Sequence, residues 1–216
     1  MRVPNLLEAW RTLKKAGLPL LDDLESGERP GIRDSQLFFP DPKDTFGVLL
    51  QFTARPESDG FIWDDAKGGW KDSLKGEAPP TSPHYKGINH VSIIVDDAQA
   101  AGRFYSEVLG LKLLGQGKEA NGDGNWSLVQ IGQAAIMFRE LGHKFADKHP
   151  LARFRPRRRK GIHYVALNCK DLAATRERLA TAGAKIVAND ARENDREPNF
   201  FIDPAGTPGI LFGFSG

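Results

Sequence analysis

The chain repeats itself, and that constrains its fold more than any other feature. Residues 41–52 read DPKDTFGVLLQF, and residues 203–214 read DPAGTPGILFGF. Upstream of these, NLLEAWRTLKKAGLPLL (5–21) matches DLAATRERLATAGAKIV (171–187). Asn5 and Asp171 are helix N-cap types. Leu6 and Leu13, like Leu172 and Leu179, fall two helical turns apart on one face. Ala16-Gly17 and Ala182-Gly183 supply the helix stop, because glycine tolerates the left-handed C-cap. A short apolar strand follows each stop. Next come a strand, an Asp-Pro turn and a second strand.

A third copy lies between them. INHVSIIVDD (88–97) reads as a strand ending at an N-cap, and AQAAGRFYSEVLG (98–110) as a helix stopped by Gly110. LKLLGQG, NWSLVQI and AAIMFRE read as three short strands. GIHYVALNC (161–169) gives the last copy its own leading strand. The unit is therefore strand–helix–three strands. One such sheet has an apolar face that it cannot bury alone, so units pair. Residues 87–140 and 161–214 make one complete pair, so 87–216 is expected to be a full domain. Residues 1–55 are an incomplete unit in which MRVPN is the tail of a leading strand. The missing remainder fits a fragment, a late start, or a homodimer that buries the orphan unit. Residues 56–86, rich in Gly, Pro and charge, read as a linker in which Trp63 and Trp70 pin the segment to a surface.

Composition adds exclusions. Apolar content is 40% and the net charge is +2. No apolar run approaches the roughly 18 residues of a membrane span. A single cysteine, Cys169, rules out a disulfide framework and a thiolate metal cluster. These features suit a cytoplasmic protein.

This arrangement, and the phrase RFYSEVLGLKLL (103–114), resemble the vicinal oxygen chelate superfamily. That superfamily includes glyoxalase I, methylmalonyl-CoA epimerase, extradiol dioxygenases, and the fosfomycin and bleomycin resistance proteins. The end of the orphan unit looks most like an epimerase. The resemblance implies an α+β fold. Tandem βαβββ modules would pair into a cupped mixed sheet with helices on the outer face. It also implies a divalent metal (Fe, Mn, Zn, Ni or Co) held in the cup by the leading and last strands.

The implied positions do not all carry ligands. His90 fits the leading-strand ligand of the first complete module, although a lone strand histidine is more often a hydrogen-bonded core residue. The last-strand position maps to Met137, a poor donor for hard ions. Glu140 sits an odd number of residues away and should face the other side of the sheet unless a bulge turns it. Counting from Asp171 puts Tyr164 at the ligand position of the second module. A one-residue slip would exchange it for His163. The family's final-strand glutamate maps to Gly213, or to Ile210 if the turn is shorter, and to Gln51 in the orphan unit. A facial triad needs about two histidines and a carboxylate. The metal candidates are thus His90, Gln51, Glu140 and His163, with His90 the best placed, and the ion is expected to be absent or weakly bound.

Two functions follow. One is a lyase, isomerase or dioxygenase with a reduced metal site. The other is a metal-free binding protein of the bleomycin-resistance type. In the latter, Trp126, Met137 and Tyr164 line the cup and hold a small oxygen-rich molecule. The basic run RFRPRRRK (153–160) reads as a solvated connection or a grip for a phosphorylated ligand. Without an aromatic array beside it, nucleic acid is not the expected partner. His143 and His149 read as surface residues.

Overall fold

A computed structural model describes residues 6–21, 37–53, 61–64, 69–72, 82–119, 124–140, 160–189, 197–207 and 209–216. The chain divides into two compact units, residues 1–81 and 82–216. Among the described residues, no helix is long and apolar enough to cross a membrane.

The second unit holds two modules. The first has strand β5 (Tyr85–Ile94), helix α2 (Ala98–Arg103), and strands β6 (Leu113–Lys118), β7 (Asn125–Ile131) and β8 (Ala134–Arg139). The second has β9 (Gly161–Cys169), α3 (Leu172–Thr181), β10 (Ile186–Ala188), β11 (Phe200–Ile202) and β12 (Phe212–Ser215). They form one eight-stranded mixed sheet of order β10-β11-β12-β9-β5-β8-β7-β6. Each leading strand pairs in parallel with the last strand of its own module, and the two leading strands pair antiparallel at the centre. Each module therefore brings an open edge to the middle, and joining the two removes both edges.

The same chemistry starts both helices. Asp97 Oδ1 accepts from Ala100 N at 2.7 Å, and Asp171 Oδ1 accepts from Ala174 N at 2.9 Å. The helix predicted over 98–110 is α-helical only to Arg103, and a π-helical turn covers Phe104–Val108. That turn carries fully buried Tyr105 onto Phe138, with ring centroids 4.7 Å apart. Gly102 has a local reason. A Cβ there would stand 2.7 Å from Ser127, whose hydroxyl donates to Ala98 O at 2.5 Å and ties α2 to β7.

The first unit contains α1 (Leu6–Lys15), β1 (Leu37–Phe38) and β2 (Phe52–Thr53). Several of its bonds repeat those of the last module. Leu18 N donates to Leu13 O, as Ala184 N does to Leu179 O. Asp41 N donates to Pro19 O and Asp203 N to Lys185 O, both at 2.9 Å. The Asp-Pro turn is copied too. Asp41 accepts from Lys43 N and Asp203 from Ala205 N, while Thr45 and Thr207 donate to Val48 O and Ile210 O. Gly47 and Gly209 take φ of 80° and 83°, a region where a side chain is strained. Even the ring stack recurs, as Phe38–Phe52 at 4.8 Å and Phe200–Phe214 at 5.0 Å.

The copies differ in what lies beside the last strand. Leu211 is 3% exposed beside the flanking strand β9, while its counterpart Leu49 is 62% exposed. The described part of the first unit has no strand in the place of β9. The expected strand tail, residues 1–5, lies outside the described residues. The segment predicted as a linker over 56–86 contains an antiparallel pair, β3 (Phe61–Asp64) and β4 (Gly69–Asp72), with Trp63 opposite Trp70. Its end belongs to β5, which begins at Tyr85. Two short runs close together in the chain satisfy each other's backbone groups, which a loop reading overlooked.

Candidate functional site

Strand alternation sorts the second unit's side chains onto two faces. Phe138, Phe200, Ile202 and Phe214 lie on the face that packs against the helices. The opposite face, the cup face, takes His90 and Ser92 from β5, Ala135, Met137 and Arg139 from β8, and Trp126 and Leu128 from β7. From the second module it takes Tyr164, Ala166, Phe201, Leu211 and Gly213.

His90 is 1% exposed and held at both nitrogens. Asn89, the extra residue of a bulge in β5, places its Oδ1 3.2 Å from His90 Nδ1. A carbonyl oxygen only accepts, so Nδ1 carries the proton. Nε2 is then left to accept the Tyr164 hydroxyl at 3.1 Å. Burial first, and the Arg139 charge second, lower the His90 pKa to about 4. Burial raises the Tyr164 phenol to about 12. Both groups are neutral near pH 7, so the couple is a hydrogen-bond system with one donor and one acceptor.

A second polar system adjoins it. Arg139, 2% exposed, donates from Nε and Nη2 to the two oxygens of Glu119, both at 2.7 Å, and from Nη2 to Glu197 Oε1 at 2.9 Å. Glu119 follows β6 of the first module, whereas Glu197 precedes β11 of the second, so the triad bridges the modules. Glu197 begins a strap, residues 197–199, laid over the cup face. Asn189 Nδ2 donates to Pro198 O at 2.8 Å, and Asn199 N donates to Phe214 O at 2.7 Å. Pro198 sits over Gly213, where a Cβ would stand 2.4 Å from its Cγ and 2.9 Å from the Phe201 ring. Glycine is there because the strap and the ring fill its side-chain space.

Ser92 lies between these systems, opposite Met137 on one side and Tyr164 on the other. Its hydroxyl is fully buried beside the Tyr164 phenol, on which it acts, and has no partner in good hydrogen-bond geometry among the described residues. A buried orphan hydroxyl costs about 1–3 kcal/mol unless a water or ligand meets it.

The predicted residues therefore divide. His90, Met137 and Tyr164 come together. Trp126 lies further along the same face, packed beside Met137 and Leu128, with Nε1 donating to Lys118 O. Glu140 does not join them. Its carboxylate accepts from Ala98 N, Asn125 N and Asn125 Nδ2, clamping the start of α2 to the start of β7. His163 is the extra residue of a bulge in β9, and the bond to His90 comes from Tyr164. Gln51 lies exposed in the first unit. His143, His149 and residues 153–159 lie outside the described residues. Lys160, the last of the basic run, pairs with Asp96 on the surface. Sequence reading missed Arg139, Glu119, Glu197 and Ser92. Arg139 had a signal, two residues beyond Met137 on the same face of an apolar strand. The two glutamates sit in connections, where periodicity carries no information.

A groove of about 1020 Å³ lies on the other face, lined by Leu172, Arg176, Ala180, Ile186 and Phe200. Its charged side chains, Arg176 and Glu177, are exposed, whereas the polar groups of the cup face are buried, so the cup face remains the candidate site. Among the described residues, no three His, Cys, Asp or Glu side chains are grouped to hold a metal ion.

Comparison with known proteins agrees with this architecture. A sequence profile of the Glyoxalase/Bleomycin resistance protein/Dioxygenase superfamily matches residues 87–208, more than half of the chain. An ethylmalonyl-CoA/methylmalonyl-CoA epimerase of Cereibacter sphaeroides is 28% identical over 127 residues, covering 57% of this chain and 92% of the relative. The uncharacterized protein YqjC of Bacillus subtilis is 26% identical over 125 residues, covering 57% and 87%. The crystal structure of methylmalonyl-CoA epimerase from Mycobacterium tuberculosis superposes with a TM-score of 0.51 at 26% identity, covering 64% of this chain and 91% of that one.

Proposed function

Because the chain belongs to the Glyoxalase/Bleomycin resistance protein/Dioxygenase superfamily, we propose that it binds a small oxygen-bearing molecule on its cup face. The observation that carries this reading is the orphan Ser92 hydroxyl, buried between Tyr164 and Met137. A ligand oxygen beside it would satisfy Ser92 and reach the Tyr164–His90 couple. Apolar walls from Leu128, Met137, Phe201 and Leu211 would hold the rest. Tyr164 and Phe201 are fully buried, so entry requires the strap over Gly213 to give way.

A second reading is an isomerase acting on an acyl thioester. Kinship with two acyl-CoA epimerases favours it. Here the Tyr164 hydroxyl, which has one proton, would turn from His90 Nε2 to donate to the thioester oxygen, and the freed Nε2 would be the acceptor for the α-proton.

Titration with acyl-CoA thioesters and their free acids, followed by calorimetry, tests the first reading. Saturable binding that weakens in Tyr164→Phe supports it. Protein that binds none of the panel, or whose binding is unchanged in Ser92→Ala, refutes it. Exchange of the α-proton of methylmalonyl-CoA in deuterated water tests the second. Binding without exchange leaves a sequestering protein.

A further inference from the structure

The donors on the cup face do not fit the divalent ion that the fold family implies. His90 turns its Nε2 to the Tyr164 phenol at 3.1 Å. Its register neighbours on the same face are Ala135 and Ala166, which carry no donor atom. Met137 offers a thioether, which suits soft ions. Both nearby carboxylates, Glu119 and Glu197, are bound to Arg139. The guanidinium is a buried cation close enough to act on His90, and it already engages the oxygens of both carboxylates. The last-strand position is Gly213, whose empty side-chain volume is taken by Pro198 and Phe201.

We propose that this chain has exchanged metal chelation for a metal-independent polar core. In it the Tyr164 phenol binds the His90 nitrogen that an ion would need, and the Glu197–Pro198 strap fills the place of a last-strand ligand. The exchange is geometrically self-consistent. A strap pinned through Arg139 needs a glycine beneath it, and a histidine without an ion needs another partner for Nε2. The inference rests on the cup face being the site, but its readout is independent of any organic ligand.

Metal content of the full chain, expressed with iron, manganese, cobalt, nickel and zinc in the medium, gives the first test. The expected result is well below one equivalent of any metal per chain, with no change in melting temperature on chelation. One tightly held equivalent that His90→Ala abolishes would overturn the proposal. Should His90→Ala fail to fold, paramagnetic shifts of the His90 ring protons on adding cobalt to the wild type would overturn it equally. A gain-of-binding variant gives the second test. Tyr164→His removes the phenol and adds an imidazole on the same face. It should raise zinc affinity over wild type by at least about tenfold, the smallest effect usual for a group supporting a metal site. Unchanged zinc affinity in folded Tyr164→His would refute the role assigned to the phenol.

Discussion

A single methyl group at Gly213 puts the strap to a quantitative test. The added Cβ of Gly213→Ala would stand 2.4 Å from Pro198 Cγ, 2.7 Å from Pro198 Cβ and 2.9 Å from Phe201 Cε1. Neither neighbour moves freely. Pro198 is buried and its carbonyl is held by Asn189, while Phe201 is fully buried against Tyr164 at 5.2 Å between centroids. Overpacking of this kind costs about 1–3 kcal/mol. Reduced freedom of the unfolded chain returns about 0.4–1 kcal/mol, so the net loss is on the order of 1–2 kcal/mol. For a unit of this size that lowers the melting temperature by roughly 5 °C. Urea unfolding followed by circular dichroism measures it. Pro198→Gly removes the obstructing ring, so the double variant should lose less than the sum of the single losses, with a coupling on the order of 1 kcal/mol. The repeat supplies an internal control. Gln51, the counterpart of Gly213, is exposed, and Gln51→Ala should stay within about 0.5 kcal/mol of wild type. A neutral Gly213→Ala, or strictly additive losses with Pro198→Gly, would show that the strap does not press on this glycine.

Two further outcomes follow from the ion pairs, one buried and one exposed. Glu119→Gln leaves Arg139 buried with half of its anionic support, and should cost about 3 kcal/mol in urea unfolding. Asp96→Asn, which breaks an exposed pair with Lys160, should change nothing measurable. Acid should also weaken the fold through His90. Burial, aided by Arg139, lowers its pKa from 6.5 to about 4 in the folded state, so the unfolded chain binds a proton that the folded chain refuses. Stability is then full above about 6.5 and falls as pH drops through the window to about 4, by about 3 kcal/mol at most. Urea midpoints measured across that window in wild type and His90→Gln should diverge. Parallel slopes in the two proteins would mean that His90 titrates normally.

Much of this protein was legible in its sequence, because what repeats in a chain is local. The Asp N-caps, the Gly17 and Gly183 stops and the Asp-Pro-x-x-Thr turn are each built from residues a few positions apart, so matched words give matched bonds. Counting from Asp171 put Tyr164 on the side of His90, and the structure places the two 3.1 Å apart. The bulge at Asn89 and the clamp made by Glu140 were invisible, since each depends on what the neighbouring strand offers. Above all, sequence alone showed that the last strand lacks an acid at Gly213, without the reason. That reason is tertiary. Glu197 reaches Arg139 across the join between the modules and draws Pro198 over Gly213, and residues so distant in the chain meet only when the two sheets become one.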